Sequence, residues 1–203
     1  VHSIRGMHVC VPRNMTEAAG MYNTLMAAGE PALVVECLNG YRSKERKPLN
    51  VGGYKIPLGQ PEVVRSGMDV TVVSYGSTFN LCTIAAERLA EFGVEVELID
   101  VRTLLPFDLT GTISASVART HRVLFVDEDV PGGATAYMME RAMASGEMWP
   151  HLDAAPQTLS AAPHLPAYGS DGDYFSKPSV EDIVERVYAM VSEDDPTSFP
   201  DLR

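Results

Sequence analysis

The chain has 203 residues, and its 27 acidic side chains outnumber its 16 basic ones, which gives a formal net charge of −11. This balance argues against a general nucleic-acid binder, because contacts to phosphate need lysine and arginine. The apolar content of 45%, without any apolar run long enough to cross a bilayer, predicts a globular protein of one or two domains that makes no use of a membrane.

The cysteines and the start of the chain indicate a reducing compartment. Cys10, Cys37 and Cys82 each lie in an apolar run, and no CxxC pair is present, which argues against a zinc site and favours buried, reduced thiols. No secretory signal pattern opens the chain, so we expect a cytoplasmic protein. The acidic charge suits a basic protein partner, although simple solubility is the preferred explanation.

The first 38 residues predict a single βαβ unit. Residues 7–12 form an apolar strand pattern, residues 16–28 follow with helical spacing, and residues 31–37 form a second buried strand pattern. Asn14 is a candidate N-cap of the helix, and Gly29 is a candidate stop. A lone unit cannot cover both faces of its sheet, so we expect the sheet to continue in residues that this chain lacks.

Residues 39–61 have the composition of a linker. A solvated connection is the default interpretation, and contact with an acidic partner or a neighbouring subunit is the alternative. Residues 56–59 and 62–65 predict two short extended pieces joined by a turn. The linker also contains a basic cluster that is unusual in an acidic chain: Arg42, Lys44, Arg46 and Lys47, with Glu45 among them.

The segment from Asp69 to Gly133 organises the rest of the chain. Apolar, β-branched runs predict strands at residues 69–76, 94–100 and 122–127. A helical pattern follows each strand, and this alternation indicates βαβ crossovers and a parallel sheet covered by helices. The first helix is marked by Leu81, Ile84, Ala85 and Leu89, the second by Leu109, Ile113 and Val117, and the third follows Gly132 and Gly133.

The last part of the chain adds one strand and one long helix. Residues 157–160 predict the strand, and residues 163–178 predict an ordered loop rather than a helix. Ser179 is a candidate N-cap, with Asp182 completing an imperfect capping box three residues on. Residues 193–203 are polar and predict a loose tail. The core face of the final helix is predicted to carry Ile183, Val184, Val187 and Val191.

The acidic run Asp127, Glu128 and Asp129 is the best candidate for chemistry. It follows a predicted strand, at the edge of the sheet where α/β proteins often bind ligands. Three carboxylates without a His or Cys companion also suit an interface. The Gly132-Gly133 pair before a helix is a weak anion-site signal that a tight turn explains better.

The other polar residues specify no reaction. Ser74 and Ser77 lie outside any GxSxG elbow, so hydrolase chemistry is unsupported. The five histidines show no metal spacing. From its residues alone, the chain is an α/β domain without a self-contained active site.

Several stretches resemble one family, the β chain of the thiamine-diphosphate-dependent decarboxylating component of 2-oxo acid dehydrogenase complexes, of the pyruvate and branched-chain types. The resemblance covers nearly the whole chain, and residues 96–108 form its most specific motif. The third strand departs from the family, which usually has His-Glu where this chain has Asp127-Glu128. The motifs are residues 54–60 (YKIPLGQ), 62–65 (EVVR), 69–76 (DVTVVSYG), 96–108 (VELIDVRTLLPFD), 127–133 (DEDVPGG) and 177–183 (KPSVEDI).

The resemblance implies a three-layer α/β/α fold with a mainly parallel five-stranded sheet and one antiparallel edge strand. Residues 1–38 are similar to the end of a pyrimidine-binding domain, and residues 39–54 to a linker. Residues 55–192 are similar to the C-terminal domain of transketolase, with a tail at residues 193–203. The resemblance therefore identifies the chain as the C-terminal fragment of such a β chain, or of a fused α–β chain.

The implied parent reaction is oxidative decarboxylation of a 2-oxo acid, with transfer of the acyl group to lipoamide. The family's cofactors are thiamine diphosphate and Mg²⁺, but the carboxylate, aromatic and histidine residues that serve the cofactor lie earlier in the β chain. His2-Ser3 resembles the family's His-Ser pair but lies too close to the following strand to take its role. We therefore expect no catalytic or cofactor-binding residue here, and no decarboxylase activity of the chain alone.

The resemblance also implies partners and one metal site. The partners are the α chain, a second β chain and the peripheral-subunit-binding domain of the lipoyl acyltransferase core, which we expect to contact Glu181, Asp182 and Glu185. A K⁺ site of the branched-chain type maps to the main-chain carbonyls of Leu25, Ala28 and Glu30. Self-association is expected through apolar surface near the Gly132–Met143 helix, which carries Met138, Met139 and Met143, and through the incomplete N-terminal unit.

Two alternatives remain open at this point. The first is another transketolase-type enzyme, such as transketolase or deoxyxylulose phosphate synthase, which shares this domain but acts on sugar phosphates. The second is a non-catalytic binding module that has kept the fold alone. Residues upstream of Val1 would separate them, because a cofactor-activating Glu and a His belong to the enzymes.

Overall fold

The computed structural model describes residues 5–166, 168–169 and 172–200. His2, which carries one of the comparisons above, lies outside these residues. Short 3-10 turns are formed by Leu38–Arg42 and Trp149–His151. The strands and helices, in chain order, are β1 (His8–Cys10), α1 (Met15–Ala28), β2 (Ala32–Val34), β3 (Glu62–Arg65), β4 (Val70–Ser74), α2 (Gly76–Glu91), β5 (Val96–Asp100), β6 (Thr103–Leu105), α3 (Thr112–Thr120), β7 (Val123–Val126), α4 (Ala134–Ala144), β8 (Gln157–Leu159), α5 (Gly172–Ser176) and α6 (Val180–Asp194).

The larger sheet has five strands in the order β3-β5-β4-β7-β8. The central strand β4 pairs in parallel with β5 and β7, and β8 continues the sheet in parallel beside β7. Only β3 runs antiparallel, along the outer edge of β5. The predicted mainly parallel five-stranded sheet with one antiparallel edge strand is therefore confirmed.

Alternate residues of the strands supply two apolar cores, because successive side chains of a strand point to opposite faces. Val72 packs in the core that α2 and α6 cover, and the neighbouring Val73 packs in the core that α3 and α4 cover. Helices thus lie on both faces of the sheet, which confirms the three-layer α/β/α arrangement.

The smaller sheet joins the beginning of the chain to its middle. It has the order β2-β1-β6, with β1 and β2 parallel around α1, as the βαβ pattern predicts. The antiparallel strand β6 was not predicted. Val9, which pairs with Leu105, and Val11, which follows β1, pack in the same core as Val73. The N-terminal unit, which we define as residues 5–37, therefore shares its core with the rest of the chain.

Local helix signals were predicted correctly. The Asn14 side chain accepts a hydrogen bond from the Glu17 amide, and α1 stops at Gly29, whose φ of 74° is left-handed. At the start of α6, the Ser179 hydroxyl accepts from the Asp182 amide, and the Asp182 carboxylate accepts from the Ser179 amide. The capping box is complete although its partner is Asp rather than Glu.

Several predicted details were wrong. The strand predicted as buried at residues 31–37 is a short, half-exposed β2, because it lies at the edge of its sheet. Ile84 is 43% exposed, since α2 turns Phe79 and Cys82 toward the core instead. Leu109 precedes α3 rather than lying in it and is 71% exposed.

The C-terminal part also departs from the prediction. The segment predicted as a loop at residues 163–178 contains the short helix α5. The described part of the predicted loose tail, residues 193–200, packs on the protein, because Phe199 contacts the core under α6 and the Tyr188 hydroxyl donates to the Pro200 carbonyl at 2.9 Å. Among the described residues, no helix is both long and apolar enough to span a membrane.

Candidate functional site

A cleft of about 870 Å³ lies at the carboxyl edge of the larger sheet. The strand β4 has β5 on one side and β7 on the other, so the strand order reverses at β4. Ligands of α/β proteins commonly bind at the carboxyl ends of the strands where the order reverses in this way. The turn after β4 and the acidic run after β7 form one wall. The N-terminal unit forms the other, through Val9, Val11 and residues 35–37.

The central polar pair of the cleft is Tyr75 and Asp127. Asp127 is only 2% exposed, and its Oδ2 accepts a hydrogen bond from the Tyr75 hydroxyl at 2.7 Å. Burial raises the pKa of Asp127 above its ordinary value, and the Tyr75 hydrogen bond opposes that shift. Burial and the adjacent carboxylate raise the pKa of Tyr75 far above its usual range. The tyrosine is therefore a permanent donor that holds the carboxylate in place.

The other two carboxylates of the acidic run are already engaged. Glu128 is exposed and lies 3.0 Å from the Lys177 ammonium. Asp129 accepts from the Val130 amide at 2.8 Å, and it lies so close to Gly133 that a Cβ there would fall 2.1 Å from Oδ2. The three carboxylates predicted to line a ligand site thus lie together, but each of them already has a partner within the protein.

The remaining candidates in the cleft have little intrinsic reactivity. Cys37 is half-buried, its thiol donates to the Pro12 carbonyl at 3.4 Å, and burial raises its pKa, so its reactive thiolate is disfavoured. Ser77 lines the cleft, while Ser74 is fully buried. In the described part of the chain, no three His, Cys, Asp or Glu side chains are grouped to hold a metal ion.

A buried charge cluster lies where the N-terminal unit meets β3 and β5. The Arg13 guanidinium contacts Glu17 Oε1 at 2.8 Å, Glu62 Oε2 at 2.8 Å and Asp100 Oδ2 at 2.6 Å. Arg102 contacts the same Glu17 oxygen at 3.0 Å and also pairs with Glu62. We call these five residues the charge cluster. It was missed from the sequence, where its only signal is an Asp and an Arg around the end of a buried strand.

The predicted K⁺ residues meet at the end of α1. Leu25 is buried, whereas Ala28 and Glu30 are exposed. The Glu30 carboxylate lies 2.7 Å from His8 Nε2, so this side chain has a protein partner. A pocket of about 350 Å³ lies beside this pair and is lined in part by Leu105 and Pro106. The assignment of a cation to the three carbonyls stays a prediction.

The predicted docking residues lie in the first turns of α6. Glu181 and Glu185 are exposed, one turn apart, while Asp182 uses its carboxylate in the capping box. Glu181 pairs with Arg88 of α2 at 2.7 Å, and hydrogen bonding to this arginine lowers the pKa of Glu181. Arg186 lies on the same exposed part of the helix. The surface is therefore of mixed charge rather than uniformly acidic.

The comparisons with known proteins agree with this fold. Residues 59–180 match the family described as "Transketolase, C-terminal domain". A solved structure described as "Split gene transketolase, inactive beta4 tetramer" superposes with a TM-score of 0.72 over 94% of this chain and 59% of its own, at 16% sequence identity. At this identity, the likeness concerns the fold alone.

Three curated relatives are β subunits. The "2-oxoisovalerate dehydrogenase subunit beta, mitochondrial" of Chaetomium thermophilum is 41% identical over 62% of this chain. The "Pyruvate dehydrogenase E1 component subunit beta-1, mitochondrial" of Arabidopsis thaliana is 29% identical over 90% of it. The "Acetoin:2,6-dichlorophenolindophenol oxidoreductase subunit beta" of Bacillus subtilis is 33% identical over 81% of it.

The chain covers 26%, 50% and 46% of these three relatives, respectively, so it spans half of their length or less. The resemblance to β chains of the pyruvate and branched-chain dehydrogenases is confirmed by their names and by the matched domain. The family model matches more than half of the residues of this chain, so the chain belongs to the transketolase C-terminal domain family.

Proposed function

We propose that this chain is the C-terminal region of the β subunit of a thiamine-diphosphate-dependent 2-oxo acid dehydrogenase, and that it serves assembly rather than bond-making. The parent enzyme would decarboxylate pyruvate or a branched-chain 2-oxo acid and pass the acyl group to lipoamide. The match of residues 59–180 and the names of the relatives support this proposal. Because one relative is a subunit of an acetoin oxidoreductase, acetoin is included among the substrates tested below.

The cleft is a poor fit for the cofactor. Thiamine diphosphate, when bound, supplies the carbanion that attacks the keto carbon, and Mg²⁺ neutralises its diphosphate. In this cleft a diphosphate would face Asp127, Glu128 and Asp129, and the Lys177 ammonium there already pairs with Glu128. The negative charges of the diphosphate and of these carboxylates would repel each other, so we assign no cofactor contact to the described residues of this chain.

The exposed apolar surface of the N-terminal unit carries the assembly role. Tyr22 and Tyr41 both donate to the Glu36 carboxylate, which places the two rings near each other. Met26 lies one helical turn from Tyr22 and is 86% exposed. Beside them, the outer edge of β2 has no strand partner in the described part of the chain. Exposed apolar side chains beside an open sheet edge are typical of a surface that another segment or subunit covers.

The Met-rich helix does not supply this surface. In α4, Met138 is completely buried, and Met139 and Met143 are partly buried against the same core. The prediction that these side chains form the self-association surface is therefore wrong for Met138. The N-terminal unit is the other part of that prediction, and we propose that a second β chain or the α chain contacts it.

Two finer assignments complete the proposal. The exposed carboxylates Glu181 and Glu185 would dock the basic peripheral-subunit-binding domain of the acyltransferase core. The carbonyls of Leu25, Ala28 and Glu30 would hold K⁺, because carbonyls at a helix C-terminus carry partial negative charge and lack intrahelical partners.

The experiment combines activity with assembly. We expect the purified chain, given thiamine diphosphate and Mg²⁺, to turn over neither pyruvate, 3-methyl-2-oxobutanoate nor acetoin. We expect it to bind the α subunit of a 2-oxoisovalerate dehydrogenase in a pull-down, and Met26→Asp to weaken that binding. Met68→Asp is the control, because it makes the same change at an exposed methionine just before β4, at the opposite edge of the larger sheet from the cleft. Turnover by the chain alone, or equal α-subunit binding by the Met26→Asp variant, would contradict the proposal.

A further inference from the structure

The charge cluster contains one more negative than positive group and is largely shielded from water. Its three carboxylates face two guanidiniums, so the fully ionised cluster carries a net charge of −1. Asp100 is completely buried and Glu17 is 3% exposed. An uncompensated charge in such surroundings is strongly unfavourable, and buried carboxyl groups usually take up a proton instead.

The geometry identifies which carboxylates compete. Arg13 Nη1 donates to Asp100 Oδ2 at 2.6 Å and also contacts Glu17 Oε1 at 2.8 Å. One nitrogen therefore serves two buried carboxylates. Glu62 is the most exposed of the three carboxylates and can be screened by water. The excess negative charge consequently falls on the pair Asp100 and Glu17.

The cluster also spans the junction between the two parts of the fold. Arg13 and Glu17 belong to the N-terminal unit, whereas Asp100 ends β5 and Arg102 follows it. The Arg102 amide donates to Asp100 Oδ1 at 2.9 Å, and its guanidinium reaches Glu17. Any change in the protonation of the buried pair is therefore felt directly at this junction.

We propose that the charge cluster is a proton-controlled clamp: a proton on Asp100, taken up beside the Glu17 carboxylate, holds the N-terminal unit against the larger sheet, and its loss loosens that contact. Burial, followed by the Glu17 charge, raises the pKa of Asp100 to about 7, against the lowering effect of Arg13. The other titratable groups that face Asp100 are the thiols of Cys37 and Cys82, which burial keeps protonated well above this pH.

The sign of the effect follows from linkage. Because the folded pKa of Asp100 lies above its ordinary value of 3.8, the stabilisation is fully present at acidic pH and is lost as the pH rises through about 7. Between these two values, a single-proton clamp should weaken by up to about tenfold per pH unit, and above about pH 7 its strength should no longer change with pH.

Hydrogen exchange on the whole chain tests the clamp. Protection factors, corrected for intrinsic rates, would be compared between the α1 amides of Met21 and Leu25 and the sheet amides of Val72 and Leu98, from about pH 4.5 to about pH 8.5, a range that spans the folded pKa of Asp100. We expect protection of α1 to fall by up to about tenfold per pH unit below about pH 7 and to level off above it, relative to the sheet. We expect Asp100→Asn, which mimics the protonated form, to abolish this relative loss.

Matched variants keep the test decisive. Glu95→Gln removes an exposed carboxylate that pairs with Arg65 in the same sheet, so its pH dependence should equal that of the wild type. Glu17→Gln removes the same excess charge and replaces Asp100→Asn if that variant does not fold. Parallel pH dependence of α1 and the sheet in the wild type would overturn the proposal, as would an Asp100→Asn or Glu17→Gln variant that retains the wild-type loss.

Discussion

Arg13 and Asp100 are 87 residues apart in the chain, yet Arg13 Nη1 lies 2.6 Å from Asp100 Oδ2 in the interior of the protein. The contact ties the turn before α1 to the carboxyl end of β5. Because the same guanidinium also reaches Glu17 and Glu62, it contacts three carboxylates at once. The Arg13 side chain therefore links the N-terminal unit directly to β3 and β5.

Replacing Arg13 with Ala should destabilise the chain by about 3–5 kcal/mol, because it leaves buried carboxylates without their main partner. Urea unfolding monitored by circular dichroism measures this loss. The control is Arg65→Ala, which breaks an exposed ion pair with Glu95 at 3.1 Å and should cost about 1 kcal/mol or less. Equal losses in the two variants would show that burial of the charge cluster has no special energetic weight.

Gly76 allows β1 to pack closely on the start of α2. Its φ is +57°, and a Cβ there would lie 2.9 Å from Val11 Cγ1. Gly76→Ala should therefore destabilise the chain by more than backbone strain alone. Gly93→Ala is the matched control, since its φ is +80° but its Cβ would meet nothing within 4 Å. Each substitution in a left-handed position costs about 1 kcal/mol or more from the backbone.

Combining Gly76→Ala with Val11→Ala isolates the steric part. If the clash is real, the double variant should lose less stability than the sum of the single losses, by about 0.5–3 kcal/mol of coupling. Additive losses in urea unfolding would instead attribute the whole Gly76→Ala effect to backbone strain.

Tyr75→Phe should raise the pKa of Asp127 further, because the hydroxyl donates to the charged form of that carboxylate. A ¹³C-detected carboxyl titration measures the shift. Since the pKa of Asp127 is already above its ordinary value, its contribution to stability is present at acidic pH and is lost as the pH rises through the folded pKa. In Tyr75→Phe that loss should extend to a higher pH, because it is complete only once the pH exceeds the folded pKa.

A control separates this effect from the general removal of a hydroxyl. The Tyr137 hydroxyl donates to the Leu104 carbonyl at 2.8 Å, so Tyr137→Phe removes a comparable bond without touching Asp127. The Asp127 titration should be unchanged in that variant. An identical titration curve in wild type and Tyr75→Phe would rule out the hydroxyl as a determinant of this pKa.

Local patterns were predictable from the sequence, and long-range contacts were not. The Asn14 and Ser179 caps depend on residues three positions apart, and they were predicted correctly. The strand β6 has only three residues, so the alternation of its side chains is too short to detect in the sequence. It forms because β1 lies beside it. The charge cluster joins residues between 13 and 102, a juxtaposition that appears only once β3, β5 and α1 are in place.

Ser179→Ala should cost about 0.5–2 kcal/mol, because the amide of Asp182 loses its acceptor at the start of α6. Ser179→Thr keeps a hydroxyl and should retain most of the stability. Thermal unfolding of both variants measures the difference. A loss as large in the Thr variant as in the Ala variant would argue that packing, rather than capping, fixes this end of α6.

Docking to a basic peripheral-subunit-binding domain should depend on Glu181 and Glu185 together. Each exposed pair contributes about 0.2–1 kcal/mol, so Glu181→Gln combined with Glu185→Gln should weaken binding by about 2- to 30-fold at low salt. Calorimetric titration of the domain into the chain at low and high salt measures this. Opposed charges should also make the wild-type affinity fall as salt rises, since screening acts on exposed charges.

Glu140→Gln combined with Glu147→Gln is the matched control for docking, because it also removes two exposed negative charges but does so on and just after α4, on the opposite face of the larger sheet from α6. It should leave the affinity unchanged. Because Arg88 already pairs with Glu181, Arg88→Gln should strengthen docking by releasing that carboxylate for the partner. Binding that is undetectable at low salt, or indifferent to salt and to all these substitutions, would sink the electrostatic docking model and leave α6 as a solvated face.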